Sequence, residues 1–125
     1  MPKNFLDLCK EKIIFFDGAM GTSIQEYPLT LDDFESKEGC NEILVKTKPE
    51  IIKEIHASFL KVGCDVIETN SFGSSSIVLA EYDIADKAYE LNFEAAKLAK
   101  QVANDFKVSQ PRDRKSTRLN SSHRL

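Results

Sequence analysis

Two short apolar runs, each closed by small and polar residues and each followed by a helical pattern, constrain this chain more than any other feature. The first, Ile13-Ile14-Phe15-Phe16, stops at Asp17-Gly18. A β-branched and aromatic run ended by Asp-Gly reads as a strand buried on both faces. The second, Asp65-Val66-Ile67-Glu68-Thr69-Asn70, reads as another strand, with Ser71-Phe72-Gly73 as its loop. Between them Thr47-Lys48-Pro49-Glu50 signals a helix start, with Thr47 as cap, Pro49 in the first turn and Glu50 three residues past the cap. Ile51, Ile52, Ile55, Phe59 and Leu60 then share one face of a 3.6-residue period, and Gly63 is the expected stop. Short helices are expected over residues 6–12, 22–27 and 74–82. Ile84, Ala88, Leu91, Ala95, Leu98, Val102 and Phe106 mark a long one. Residues 28–39 read as an acidic, irregular loop.

Strand, loop, helix, strand, loop, helix is the order of parallel strands joined by right-handed crossovers. A closed (β/α)8 barrel needs ~250 residues. A chain of 125 residues therefore supplies a short open sheet or the first units of such a barrel. A hydrophobic fraction of 42% with 30% charged residues excludes global disorder. No apolar run approaches the ~18 residues of a membrane span, and the amino terminus lacks the apolar core of a signal peptide. The reading is cytoplasmic, with no membrane partner.

Charge is uneven. Residues 1–110 hold 12 lysines, 19 acids and no arginine, whereas residues 111–125 hold Arg112, Arg114, Arg118, Arg124, Lys115 and the single acid Asp113. A basic arm for nucleic acid is one reading of that tail, and it predicts strong salt dependence. The abrupt change in usage favours a foreign or disordered segment joined to a native body, so residues 1–110 are taken as the domain and no nucleic-acid partner is expected.

In parallel α/β folds, ligands bind at the carboxyl ends of the strands. Asp17-Gly18-Ala19-Met20-Gly21-Thr22 and Glu68-Thr69-Asn70-Ser71-Phe72-Gly73 fall there. Small residues let the backbone turn sharply and let a ligand come close. An acid for an ammonium group, beside backbone N–H groups for a carboxylate, suits an amino-acid ligand. Ordinary turn chemistry at Asp17-Gly18 is the alternative, as is a purely structural role for Glu68 and Asn70. Cys9, Cys40 and Cys64 lack metal-ligand spacing and read as small semi-buried hydrophobes. His56 is expected to be solvated or edge-packed, and Asp32, Asp33, Glu35 and Glu38 to form a solvated loop.

FFDGAMGTSIQ, GCNEILVKTKPEIIKEIHASFLKVGCDVIETNSFG and ELNFEAAKLAKQVANDF, in this order, carry a resemblance. Over about residues 8–110 the chain resembles the amino-terminal homocysteine-binding domain of the cobalamin-dependent methionine synthase family. That resemblance implies the first two β/α units of an incomplete TIM barrel, hence an α/β fold. It implies that Asp17, with Gly18, Ala19, Met20 and Gly21, helps bind the amino-acid part of homocysteine, with Glu68 and Asn70 in or beside the pocket. The implied reaction moves a methyl group from methylcobalamin, replenished by methyltetrahydrofolate, to homocysteine whose sulfur zinc keeps deprotonated. The family's Gly-Gly-Cys-Cys zinc stretch is missing here, so no metal ligand and no catalytic residue is carried over, and the isolated fragment is expected to be inactive. A cobalamin-independent homocysteine S-methyltransferase and a non-enzymatic α/β binding module are the competing readings.

Overall fold

The computed structural model of this chain describes residues 4–109; the basic segment read as a foreign tail lies outside them. Six α-helices dominate: α1 (Phe5–Glu11), α2 (Met20–Gln25), α3 (Leu44–Thr47), α4 (Pro49–Lys61), α5 (Ser76–Leu79) and α6 (Ala88–Ser109). Single 3-10 turns at Asn41–Ile43, Ala80–Tyr82 and Ala85–Lys87 lead into or out of them.

The expected α/β fold, with the opening β/α units of a TIM barrel, is not what forms. No strand occurs among the described residues. Segments 13–17 and 65–70 meet only at an isolated parallel bridge between Phe16 and Val66. The Asp17 N–H donates to the Val66 carbonyl at 3.0 Å, and the Asp65 and Val66 N–H groups both donate to the Phe15 carbonyl, at 2.8 and 3.2 Å. A ladder would continue with further main-chain pairs. Here side chains take those places. The Phe15 N–H donates to the Asp65 carboxylate at 3.0 Å, and the Glu68 N–H donates to both oxygens of Asp17 at 3.1 Å. Nor is the first segment buried on both faces: Ile13 is 76% exposed and Phe15 59%.

The helices follow the physics of their ends. Asn4 caps α1 by accepting the Asp7 N–H at 2.8 Å. Thr47 does not cap α4; it closes α3 and its hydroxyl donates to the Asp33 carbonyl at 2.6 Å, while Lys48 occupies the cap position and Pro49 opens the helix. Gly63, at φ +105°, ends α4 as expected. Its N–H donates to the Leu60 carbonyl and that of Cys64 to Phe59, both at 3.1 Å, which is the double bond of a Schellman stop.

Helix α4 packs most extensively on α6. Ile52 and Ile55 of α4 join Ile43, Leu44, Val45, Leu79, Leu91 and Leu98 in one buried cluster. Leu60 joins Ile67, Ala99, Val102 and Phe106 in a second. Each such Val, Leu, Ile or Phe side chain contributes about 1.5–3 kcal/mol on burial. The small residues Ala95, Ala99 and Ala103 are buried along α6 and leave room for close approach. No described helix is long and apolar enough to cross a membrane.

Candidate functional site

The parallel bridge brings the two motif loops to one place. Where the first segment ends, Asp17 turns its carboxylate onto the Glu68 N–H. A pocket of about 240 Å³ opens there. Asp17, Gly18, Ala19, Met20, Glu68 and Asn70 line it, with Thr69 and Phe72. Gly21, also expected at the site, lies inside α2, where a Cβ would stand 3.6 Å from the Asn41 amide nitrogen. A space below the usual ~300–1,000 Å³ of drug-sized pockets fits a small metabolite.

Burial raises the Asp17 carboxyl from its ordinary value to about 6. The Glu68 N–H bond works against this and the neighbouring Glu68 charge with it. At pH 7 and above Asp17 is therefore anionic, ready to accept a bond from a cationic group. Glu68 meets Asp17 through its backbone and keeps its side chain exposed.

The turn into α2 is made by an unexpected residue. Ala19, not a glycine, takes the left-handed conformation, at φ 48° and ψ 38°. A side chain in that region costs about 1–2 kcal/mol, so the pocket wall stores strain. Gly18 has open space around it. No side-chain cap covers the first amides of α2.

Asn70 is buried and its amide donates to the Asn41 carbonyl at 3.0 Å. The next residue, Glu42, accepts the Gly73 N–H at 2.9 Å. Asn41 and Glu42 were not among the expected site residues. They stand in a 3-10 turn outside both loops, and nothing in their spacing signals the contact. Asp65 was also missed: it is fully buried, pairs with Lys12 at 2.8 Å and receives the Phe15 N–H.

The remaining candidates fall away from the pocket. Cys9 is exposed, while Cys40 and Cys64 are buried rather than semi-buried. Burial, first of all, pushes both buried thiols up in pKa. The Cys64 thiol donates to the Phe16 carbonyl at 3.6 Å. Among the described residues no three His, Cys, Asp or Glu side chains gather around a point that could hold a metal ion. The residues described therefore do not fit the zinc site that the resemblance implies. His56 is neither solvated nor edge-packed: it is fully buried in α4, neither ring nitrogen has a hydrogen-bond partner among the described residues, and desolvation lowers its pKa to about 4. In the acidic loop Asp32, Glu35 and Glu38 are exposed, but Asp33 accepts the Thr30 N–H at 2.9 Å and lies 3.8 Å from the Lys48 ammonium.

A pocket with an ionised carboxylate thus lies at the junction of these two loops, and sequence comparison gives the class of the chain. The chain belongs to the homocysteine S-methyltransferase family, whose model matches residues 14–115. It is similar to methionine synthase of Mycobacterium tuberculosis, 42% identical over 103 residues, or 82% of this chain and 9% of the relative. Methionine synthase of Mycobacterium leprae is likewise 42% identical over 103 residues, covering 82% of this chain and 8% of that protein. The chain thus spans under a tenth of the length of these relatives.

Proposed function

We propose that the pocket holds the amino-acid end of homocysteine as the acceptor in a methionine-forming methyl transfer. Family membership supports the substrate class, and the mycobacterial relatives named methionine synthase support the product. The observation that carries the reading is the Asp17 carboxylate, oriented by the Glu68 N–H at the wall of a pocket shared by both motif loops. Asp17 accepts the substrate ammonium group. The backbone of residues 18–21 faces the substrate carboxylate, with Glu68 and Asn70 beside it. Asp17 does no bond-making chemistry in this scheme. It binds and orients, so that the sulfur projects out of the pocket.

Zinc, methylcobalamin and methyltetrahydrofolate belong to the proposed reaction through the family resemblance alone. No described residue is assigned to hold them.

The test is a nuclear magnetic resonance titration of the chain with L-homocysteine and with 4-mercaptobutyrate, which lacks the amino group. The expected result is a response of the Gly18, Ala19 and Glu68 amides to L-homocysteine and at least about tenfold weaker binding of the analogue, the worth of one charge-assisted hydrogen bond. Equal responses to both compounds contradict the reading.

A further inference from the structure

We propose that Glu42 is a positioning residue of this pocket: from outside both motif loops, its carboxylate holds residues 70–73 in the place where they form one wall. The proposal rests on the homocysteine reading for its ligand but not for its geometry.

Glu42 belongs to the 3-10 turn Asn41–Ile43, and the residues that follow it, Ile43, Leu44 and Val45, are buried in the main cluster. The turn is therefore anchored by the core, whereas residues 70–73 belong to no helix. Two bonds tie that loop to the turn. The Gly73 N–H donates to Glu42 Oε2 at 2.9 Å, and the Asn70 side-chain amide donates to the Asn41 carbonyl at 3.0 Å. Pocket-lining Asn70 and Phe72 lie within the span that these bonds bracket.

The fit is tight. A Cβ at Gly73 would stand 3.0 Å from Glu42 Oε2 and 3.1 Å from its Cδ, so the carboxylate lies against the bare glycine backbone. Gly73 is itself buried, and its N–H has no water to turn to if the carboxylate is removed. On the other side of the turn the Asn41 side-chain amide nitrogen lies 3.6 Å from where a Cβ on Gly21 of α2 would be. The anchored turn thus holds the loop at residues 70–73 and lies beside α2, which supplies Met20 to the lining.

Glu42→Ala removes the acceptor, Glu42→Gln keeps an acceptor oxygen of the same reach, and Gly73→Ala crowds the carboxylate with its chemistry intact. Hydrogen exchange of the Gly73 amide and titration with L-homocysteine are read for each in the whole chain. The expected result for Glu42→Ala is Gly73 exchange faster by about tenfold or more and L-homocysteine binding weaker by about tenfold. Glu42→Gln restores most of both, and Gly73→Ala reproduces part of the loss of binding. Unchanged Gly73 exchange in Glu42→Ala overturns the proposal. So does faster exchange with binding intact, which would make the bond merely structural. If Glu42→Ala does not fold, a Gly73→Ala variant that binds as well as Glu42→Gln overturns it equally. A native chain that ignores L-homocysteine defeats the ligand reading instead, and leaves the exchange comparison to decide whether Glu42 positions the loop.

Discussion

At the scale of single residues, two desolvated titratable groups, half-buried Asp17 and fully buried His56, pull the stability of this chain in opposite directions. Asp17 has a folded pKa of about 6 against an ordinary 3.8, because burial disfavours its charge. Its folded form holds a proton more tightly, so its contribution is fully present below about pH 4 and lost as pH rises to about 6. His56 has a folded pKa of about 4 against 6.5, again through burial. Its contribution is present above about pH 6.5 and lost as pH falls to about 4. The windows overlap and the slopes oppose, so the native chain should show little change in stability between pH 4 and 6. Asp17→Asn should expose a rise in stability with pH, and His56→Leu a fall. Urea denaturation at several pH values checks this, and two variant profiles parallel to the native one contradict it. Neither shift was legible beforehand. Sequence placed Asp17 at the end of an apolar run, but its desolvation also depends on the loop at residues 68–72 that lines the same pocket, and although His56 falls four residues from both Ile52 and Leu60, on the buried side of α4, its polarity argued for solvent.

Among the elements, helices were far more legible than extended segments. The 3.6-residue period picked out Ile52, Ile55 and Leu60, which are buried, and Gly63 stops α4 through its positive φ. A period reports which face wants burial, and a helix satisfies its own backbone. A strand depends on a partner that no local pattern displays. Segments 13–17 and 65–70 carry strand-like residues, yet their bonding is completed by the carboxylates of Asp17 and Asp65 rather than by neighbouring main chain. These two acids decide where the segments meet. Asp65 is the more consequential, since it is fully buried and holds both Lys12 and the Phe15 N–H. Asp65→Ala releases Lys12 to solvent and leaves the Phe15 N–H without its acceptor, and should destabilise the chain by about 2 kcal/mol. It should also broaden the Asp17 and Glu68 amide signals. A loss below about 1 kcal/mol, measured by urea denaturation, would show that the meeting of the segments is held elsewhere.

For the molecule as a whole, the helical core is closed but the extended segments are not. Ile13, Phe15 and Phe16 are exposed on the first, and Phe72 stands fully exposed beside the pocket. An uncovered extended edge flanked by apolar side chains is a template for pairing with another copy. The chain should therefore self-associate with rising concentration, and Ile13→Lys with Phe15→Lys should suppress it. Sedimentation velocity across a concentration series reads this, and a native chain that stays monomeric throughout contradicts it. The pocket sits at that same edge, with walls drawn from both segments and braced by the turn at residues 41–43. Its existence was legible from the two motif loops. The bracing was not, because it comes from a third stretch of chain. The most direct test of the whole account is the affinity of the native chain and of Asp17→Asn for L-homocysteine, measured by resonance titration at pH 7.5 and pH 5. Native binding at pH 7.5 should weaken toward pH 5 as Asp17 takes up its proton, and Asp17→Asn should bind about tenfold more weakly at pH 7.5 with no pH dependence. Equal affinity of the two proteins at pH 7.5 would contradict it.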